Sequence, residues 1–191
     1  MAKAAGVPDE IYAGLYIVEI IEASQAWLSG QDPALANTAQ AYAAASYQRI
    51  NDIEMEAASN TVLFEGVRQT LGQLRDAGYR LGSVTRNCRA AVLTMFPDMN
   101  DFIDCLHARD DVEHLKPDPR HLTDVVEIIG GNLKKTIMVG DSEVDSISAH
   151  NAKLPFVLIK DGYTEKTENE IKHDVLISDF TGFEKIIEKY L

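Results

Sequence analysis

From residue 61 onward the chain alternates short apolar runs with helical patterns, and this alternation limits its fold more than any other feature. "EGVRQTLGQLRDAG" puts Val67, Leu71 and Leu74 on one helical face and runs into Gly78 past its end. "YRLGSVT", "FIDCLHA", "KTIMVGD", "PFVLIK" and "HDVLIS" read as strands. "RAAVLTMF", "DPRHLTDVVEIIG" and "EVDSISAHNA" read as the helices between them, and "DFTGFEKIIEKYL" as a closing helix. Strand and helix in strict turn predict an α/β fold with a parallel sheet covered by helices on both faces. In such sheets ligands bind beyond the carboxyl ends of the strands.

Residues 1–60 have another texture, rich in Ala and without strand alternation. "PDEIYAGLYIVEIIEASQAWLSG" carries Ile11, Leu15 and Val18 and suits a helix ending near Gly30. The next helix opens with Asp32 as N-cap and Pro33 at the first helical position. The first third therefore reads as a helical lobe. Trp27, Tyr12, Tyr16, Tyr42 and Tyr47 read as core or interface residues of that lobe.

Bulk properties narrow the function classes. With 191 residues, 46% hydrophobic, the chain can bury one sizeable core and a small second lobe. A net charge of −12 argues against nucleic acid and anionic lipid as partners. No run of about 18 apolar residues predicts a membrane span, and "MAKAAGVPDE" has no apolar signal region. Cys88 and Cys105 lack metal-type spacing and read as reduced thiols of a cytoplasmic protein. The histidines His107, His114, His121, His150 and His173 lack the i, i+4 pairing of a zinc site. His114 and His121 flank Lys116 and are expected near solvent.

The strand ends yield a short set. Thr85, Arg86 and Asn87 follow "LGSV", and Asp141, Ser142 and Asp145 follow "TIMVG". Lys116 stands between them in "HLKPDPRHL". Each has a bland reading: a structural strand-end Thr, a solvated loop Lys, a helix N-cap at Asp141, a surface acid at Asp145. Taken together, two carboxylates suit Mg²⁺, while the hydroxyl and the ammonium suit phosphate oxygens. Such a set stabilises a transferring phosphoryl group.

"LGSVTRN", "LKPDP" and "VGDSEVD" resemble motifs two, three and four of the haloacid dehalogenase superfamily, in order. "EGVRQTLGQLRDAGYRLGSVT" and "KDGYT" are similar to flanking segments of the same pattern. The nearest resemblance is to the phosphoglycolate-phosphatase-like branch, whose members carry a helical cap near the N-terminus. It implies a Rossmann-like three-layer sandwich over residues 61–191 and a small cap over residues 1–60. It also implies a Mg²⁺-dependent phosphomonoester hydrolase acting on a small phosphorylated metabolite. The resemblance implies that Thr85 and Lys116 are catalytic, with Thr85 binding the phosphoryl group and Lys116 neutralising its charge, and that Thr85, Arg86, Asn87 and Lys116 bind the substrate. In that pattern Asp141 coordinates Mg²⁺, and Asp145 supports that site directly or from behind. A homodimer is left open.

The family's first motif, an apolar strand ending in Asp-x-Asp, has no counterpart, for no Asp-x-Asp occurs in the sequence. That motif supplies the nucleophile and the general acid. Three readings are open: a sequence cut short at its start, a relative that binds phosphate and Mg²⁺ without catalysis, or a stand-in acid. Glu19 in "LYIVEIIEA" is the candidate for the last, though it reads better as an exposed acid on the first cap helix. In the family the absent strand lies between the strands ending at Thr85 and Gly140. Those two strands are therefore expected to pair directly or to share a borrowed segment, since an open slot would leave edge groups unpaired.

Overall fold

The computed structural model describes residues 1–31, 36–160 and 170–190. The chain divides into two compact units, Met1–Ala57 and Ala58–Leu191. Among the described residues no helix is long and apolar enough to cross a membrane.

The first unit is helical, with a 3₁₀ turn at Lys3–Ala5, then α1 (Asp9–Tyr12), α2 (Ile17–Gln31) and α3 (Ala36–Asn60). The one helix expected over residues 8–30 is broken in two. Gly14 takes a φ of 76°, a left-handed conformation that glycine adopts without a steric penalty. Ala2, Val7, Leu28 and Ala39 form a small core, against which Tyr12, Trp27 and Tyr42 pack. Glu19 lies half-buried on α2, so "LYIV" makes no strand. The predicted cap at Asp32 and Pro33 lies outside the described residues, as does most of "KDGYT".

The second unit runs α4 (Val67–Asp76), β1 (Gly82–Val84), α5 (Arg89–Met95), β2 (Cys105–His107), α6 (Arg120–Ile128), β3 (Met138–Gly140), α7 (Glu143–Asn151), β4 (Phe156–Ile159), β5 (Val175–Ile177) and α8 (Phe183–Tyr190). All strand pairs are parallel: β1 with β2, β3 with β4, and β4 with β5. This is the expected α/β, Rossmann-like arrangement. Strand β4 is buried along its whole length. Its alternate residues serve opposite faces. Phe156 and Leu158 meet Leu122 of α6 and Ala149 of α7, while Val157 and Ile159 meet Leu74 of α4 and Ile187 of α8.

The strands do not form one sheet. β1 and β2 make a two-stranded sheet, and β3, β4 and β5 a three-stranded one. A cavity of about 650 Å³ lies against Gly82 and Val84 on one side and Met138, Val139 and Gly140 on the other. The expectation that the two strands pair directly is therefore overturned, and among the described residues no segment of this chain fills the slot between them. That expectation assigned every edge group the cost of a dry, unpaired group, about 1–3 kcal/mol. The cavity instead keeps the facing edges of β1 and β3 apart, so that neither strand hydrogen-bonds the other. Helices hold the halves together instead, since Val84 of β1 and Met138 of β3 both pack against the cluster around Leu122.

Candidate active site

Lys116 lies in the loop that leads into α6, and it is only 8% exposed. The bland reading of a solvated loop lysine fails on that burial. Its ammonium donates to Asp145 Oδ1 at 2.5 Å. A buried lysine needs such a partner, because removing an ammonium from water is expensive.

Asp145 is equally committed, at 4% exposed. Its Oδ2 accepts from Ser142 Oγ at 2.7 Å, from the Ser142 N–H at 3.2 Å and from the Asp141 N–H at 3.3 Å. Ser142 is the N-cap of α7 and accepts in return from the Asp145 N–H at 3.2 Å. The pair is a capping box with Asp in the usual Glu position. The cap is thus Ser142, not Asp141. Burial pushes the Asp145 carboxyl up; the charge and hydrogen bond of Lys116, with the Ser142 bonds, outweigh it and hold the group below its ordinary value.

Gly140, the last residue of β3, makes this geometry accessible. A Cβ there would stand 2.6 Å from Asp145 Cβ, Cγ and Oδ2. Only glycine lets the carboxylate fold back against the strand end. Asp141 follows, half-buried, and borders the cavity between the two sheets.

On the other strand end, the Thr85 N–H donates to the His107 carbonyl at 3.0 Å, and Thr85 Oγ1 accepts from the Asn87 N–H at 3.2 Å. The Arg86 guanidinium donates to the Lys116 carbonyl. Arg109, 7% exposed, braces the turn, with its Nε donating to the Arg86 carbonyl at 3.0 Å. Its N–H donates to the Asn87 carbonyl, also at 3.0 Å.

The structure thus joins Lys116 to Asp145, sets Asp141 and Ser142 beside Asp145, and hooks Arg86 onto Lys116. Thr85 adjoins Arg86 and is tied to the end of β2. Asn87 is exposed, and its bonds named here are main-chain ones. His121 departs from expectation: it is 1% exposed rather than near solvent. Ser142 was placed among the strand-end residues and His121 beside Lys116, neither with a role at the site, and Arg109 was not singled out. The pattern Ser-x-x-Asp in "SEVD" was a readable signal for the first of them. No pattern marks the other two.

Among the described residues no group of three or more His, Cys, Asp or Glu side chains converges as a metal site. The donor set still fits Mg²⁺, which takes one or two carboxylates and completes its shell with water and phosphate oxygens. Asp141 is the carboxylate suited to direct ligation. Both oxygens of Asp145 already have partners, which suits it to support the site from behind Lys116 and Ser142.

Comparison with known proteins shows the family of the chain. The family model for haloacid dehalogenase-like hydrolases matches residues 18–159. A phosphoglycolate phosphatase of Agrobacterium fabrum is 31% identical over 133 residues, covering 66% of this chain and 57% of that protein. One of Caulobacter vibrioides is 32% identical over 147 residues, covering 75% of this chain and 62% of that protein. The matches thus span little more than half the length of these curated relatives. Among solved structures, a haloacid dehalogenase-like hydrolase of Bacteroides fragilis superposes with a TM-score of 0.67 at 25% identity, covering 93% of this chain and 83% of that one. With the match running through Thr85, Lys116, Asp141 and Asp145, the chain belongs to the haloacid dehalogenase-like hydrolases, on their phosphoglycolate-phosphatase-like side.

Proposed function

We propose that this chain carries the phosphate-binding and metal-holding part of a Mg²⁺-dependent phosphomonoester hydrolase, and that by itself it binds phosphate without turning it over. The observation that carries the reading is the buried Lys116–Asp145 pair at the strand ends. Of the three ammonium protons of Lys116, one goes to Asp145 and two remain to meet phosphate oxygens. The Thr85 hydroxyl accepts from the Asn87 N–H and keeps its own proton to donate. Bound Mg²⁺ would supply further charge neutralisation at the phosphate, and Asp141 would hold it. The names of the relatives support a small phosphorylated acid as the substrate class. The helical first unit would act as the cap that selects it.

The test uses inorganic phosphate with Mg²⁺ for binding and an aryl phosphate for turnover. Binding should be measurable and should weaken by about tenfold or more in Lys116→Met. Turnover should stay at background, because no covalent route exists without a nucleophile. Robust turnover abolished by Asp141→Asn would overturn the second part, and Glu19→Gln would then locate the nucleophile. A second reading, a binding module that never catalyses, rests on the absence of Asp-x-Asp from the sequence. It separates from the first when an apolar strand ending in Asp-x-Asp is added ahead of Met1. Mg²⁺-dependent turnover in that extended protein favours the hydrolase, and continued inactivity favours the module.

A further inference from the structure

We infer that His121 is a positioning residue, which ties the loop bearing Lys116 to the strand end bearing Thr85 and so sets how far apart the site holds its ammonium and its hydroxyl. The inference rests on the reading of Lys116 and Thr85 as phosphate-binding residues.

The geometry is a chain of bonds through one imidazole. His121 Nδ1 accepts from the Lys116 N–H at 3.1 Å. His121 Nε2 lies 3.1 Å from the His107 carbonyl oxygen, and the same carbonyl accepts the Thr85 N–H at 3.0 Å. The partners fix the tautomer. A backbone N–H can only donate, so Nδ1 is bare; a carbonyl can only accept, so Nε2 carries the proton. The ring is thus a neutral two-ended link. The Nδ1 bond would be lost on protonation.

The surroundings keep the ring neutral. It is 1% exposed, and it stacks on His107 with centroids 6.3 Å apart and planes at 17°. Burial is the main force pushing its pKa down, to about 4. The bond to the His107 carbonyl opposes that shift, while the neighbouring Lys116, His107 and Arg86 add to it. Arg86 holds the Lys116 carbonyl while His121 holds its N–H, so the Lys116 backbone is gripped from both sides. A loop residue secured in this way is what a point-charge phosphate ligand needs, because a misplaced ammonium costs affinity steeply.

The experiment has two arms. In the wild-type chain, ¹⁵N NMR of the histidine rings should find His121 neutral with its proton on Nε2 from about pH 5.5 to about pH 8. Titration near the ordinary histidine value, or a proton on Nδ1, overturns the inference. In the second arm, inorganic phosphate with Mg²⁺ is titrated calorimetrically into variants. His121→Asn keeps an acceptor near the Nδ1 position but loses the His107 end of the link, and should weaken binding by about tenfold. His121→Gln reaches toward His107 but loses the Lys116 bond, and should weaken binding by about tenfold, as should His121→Leu if it folds. Equal affinity in wild type, Asn and Gln variants, with only thermal stability altered, would mean that His121 is purely structural and would overturn the inference. If wild type binds no phosphate and Lys116→Met changes nothing, the site reading itself has failed. If wild type binds, Lys116→Met does not, and the His121 variants do, the failure belongs to His121 alone.

Discussion

The two sheets of the second unit are held by different forces. Around β4 the means are apolar, with Phe156, Val157, Leu158 and Ile159 buried against helices on both faces. β1 contains no fully buried residue. Its half has a smaller cluster, Val92, Phe96, Met99, Leu106 and Ala108, and is stitched by polar contacts. The Asp104 carboxylate takes the Leu81 N–H at 2.8 Å, and Arg75 reaches the Phe102 carbonyl at 2.9 Å. Arg89 reaches the Leu106 carbonyl at 2.8 Å and both oxygens of Asp111. A two-stranded sheet beside a cavity has few positions with apolar cover on both faces. Hydrogen bonds fix its geometry at little net gain in stability. The candidate site spans this divide: Thr85, Arg86 and Lys116 follow the polar half, and Asp141 and Asp145 follow the apolar half. The Lys116–Asp145 pair therefore crosses the seam.

The largest effect should come from breaking the apolar half. Phe156 has no exposure and packs in the cluster with Leu122 and Leu154. Phe156→Ala should lower unfolding free energy by about 3–5 kcal/mol, by chemical denaturation. Hydrogen exchange should rank the halves the same way. Amides of β4 should open only with global unfolding, and those of β1 should open at lower cost. Equal protection in the two sheets would refute the contrast.

Next comes the pair that crosses the seam. Lys116→Met leaves Asp145 buried without its cation, and such a loss costs about 3–5 kcal/mol at most sites. We expect the lower end, about 3 kcal/mol, because Ser142 continues to donate to Asp145. Adding Asp145→Leu to that variant removes the orphaned charge and should recover much of the stability. A double variant no more stable than the single one would show that the pair does not couple the two halves. Gly140→Ala belongs to the same test, since its Cβ would displace the Asp145 carboxylate.

The pH profile separates the halves by their titrations. The folded pKa of His121, about 4, lies below the ordinary 6.5. Between those values the unfolded chain binds a proton that the folded chain refuses, so stability is full above pH 6.5 and falls as pH drops toward 4. The loss is at most about 3 kcal/mol. Asp145 is also depressed, so its contribution is held above its ordinary 3.8 and lost as pH falls below it. Acid should therefore loosen the polar half first and the ion pair later. His121→Asn should flatten the upper window in a series of melting curves and leave the lower one. An unchanged profile would remove His121 from the account.

The sequence displayed the apolar half more plainly than the polar one. "PFVLIK" and "TIMVG" are apolar runs that read as strands, and both strands form where those runs lie, the first fully buried and the second half-buried. Lys116, Asp141 and Asp145 were read as candidates from order and spacing along the strand ends, and the fold brings the three together. The break at Gly14 was missed because the apolar period continues across it, while only backbone geometry demands a left-handed residue there. The open seam was missed because an apolar run marks a strand but not which strand edge it meets. His121 was placed beside Lys116 but expected near solvent, because its burial comes from two main-chain partners, Lys116 and His107, that no side-chain pattern announces.

The smallest effect should come from the polar stitches themselves. Arg89 opens α5 and ties it to the end of β2, with Nη2 at 2.8 Å from the Leu106 carbonyl and 2.6 Å from Asp111 Oδ2. Nε adds a second bond to Asp111 Oδ1 at 2.9 Å, making the pair a two-pronged fork. Asp111 in turn accepts the Ala108 N–H at 2.8 Å, so the fork also orders the turn after β2. The Arg89 side chain is 41% exposed, and water screens much of its charge. Arg89→Lys keeps the charge and loses the fork, so it isolates geometry from electrostatics. It should cost about 1 kcal/mol, seen as a small shift in denaturation midpoint with an unchanged slope. The same substitution should speed exchange at the Leu106 and Ala108 amides and leave β4 untouched. A shift as large as that of Phe156→Ala would mean that the two-stranded half depends on its arginines for stability as well as for shape.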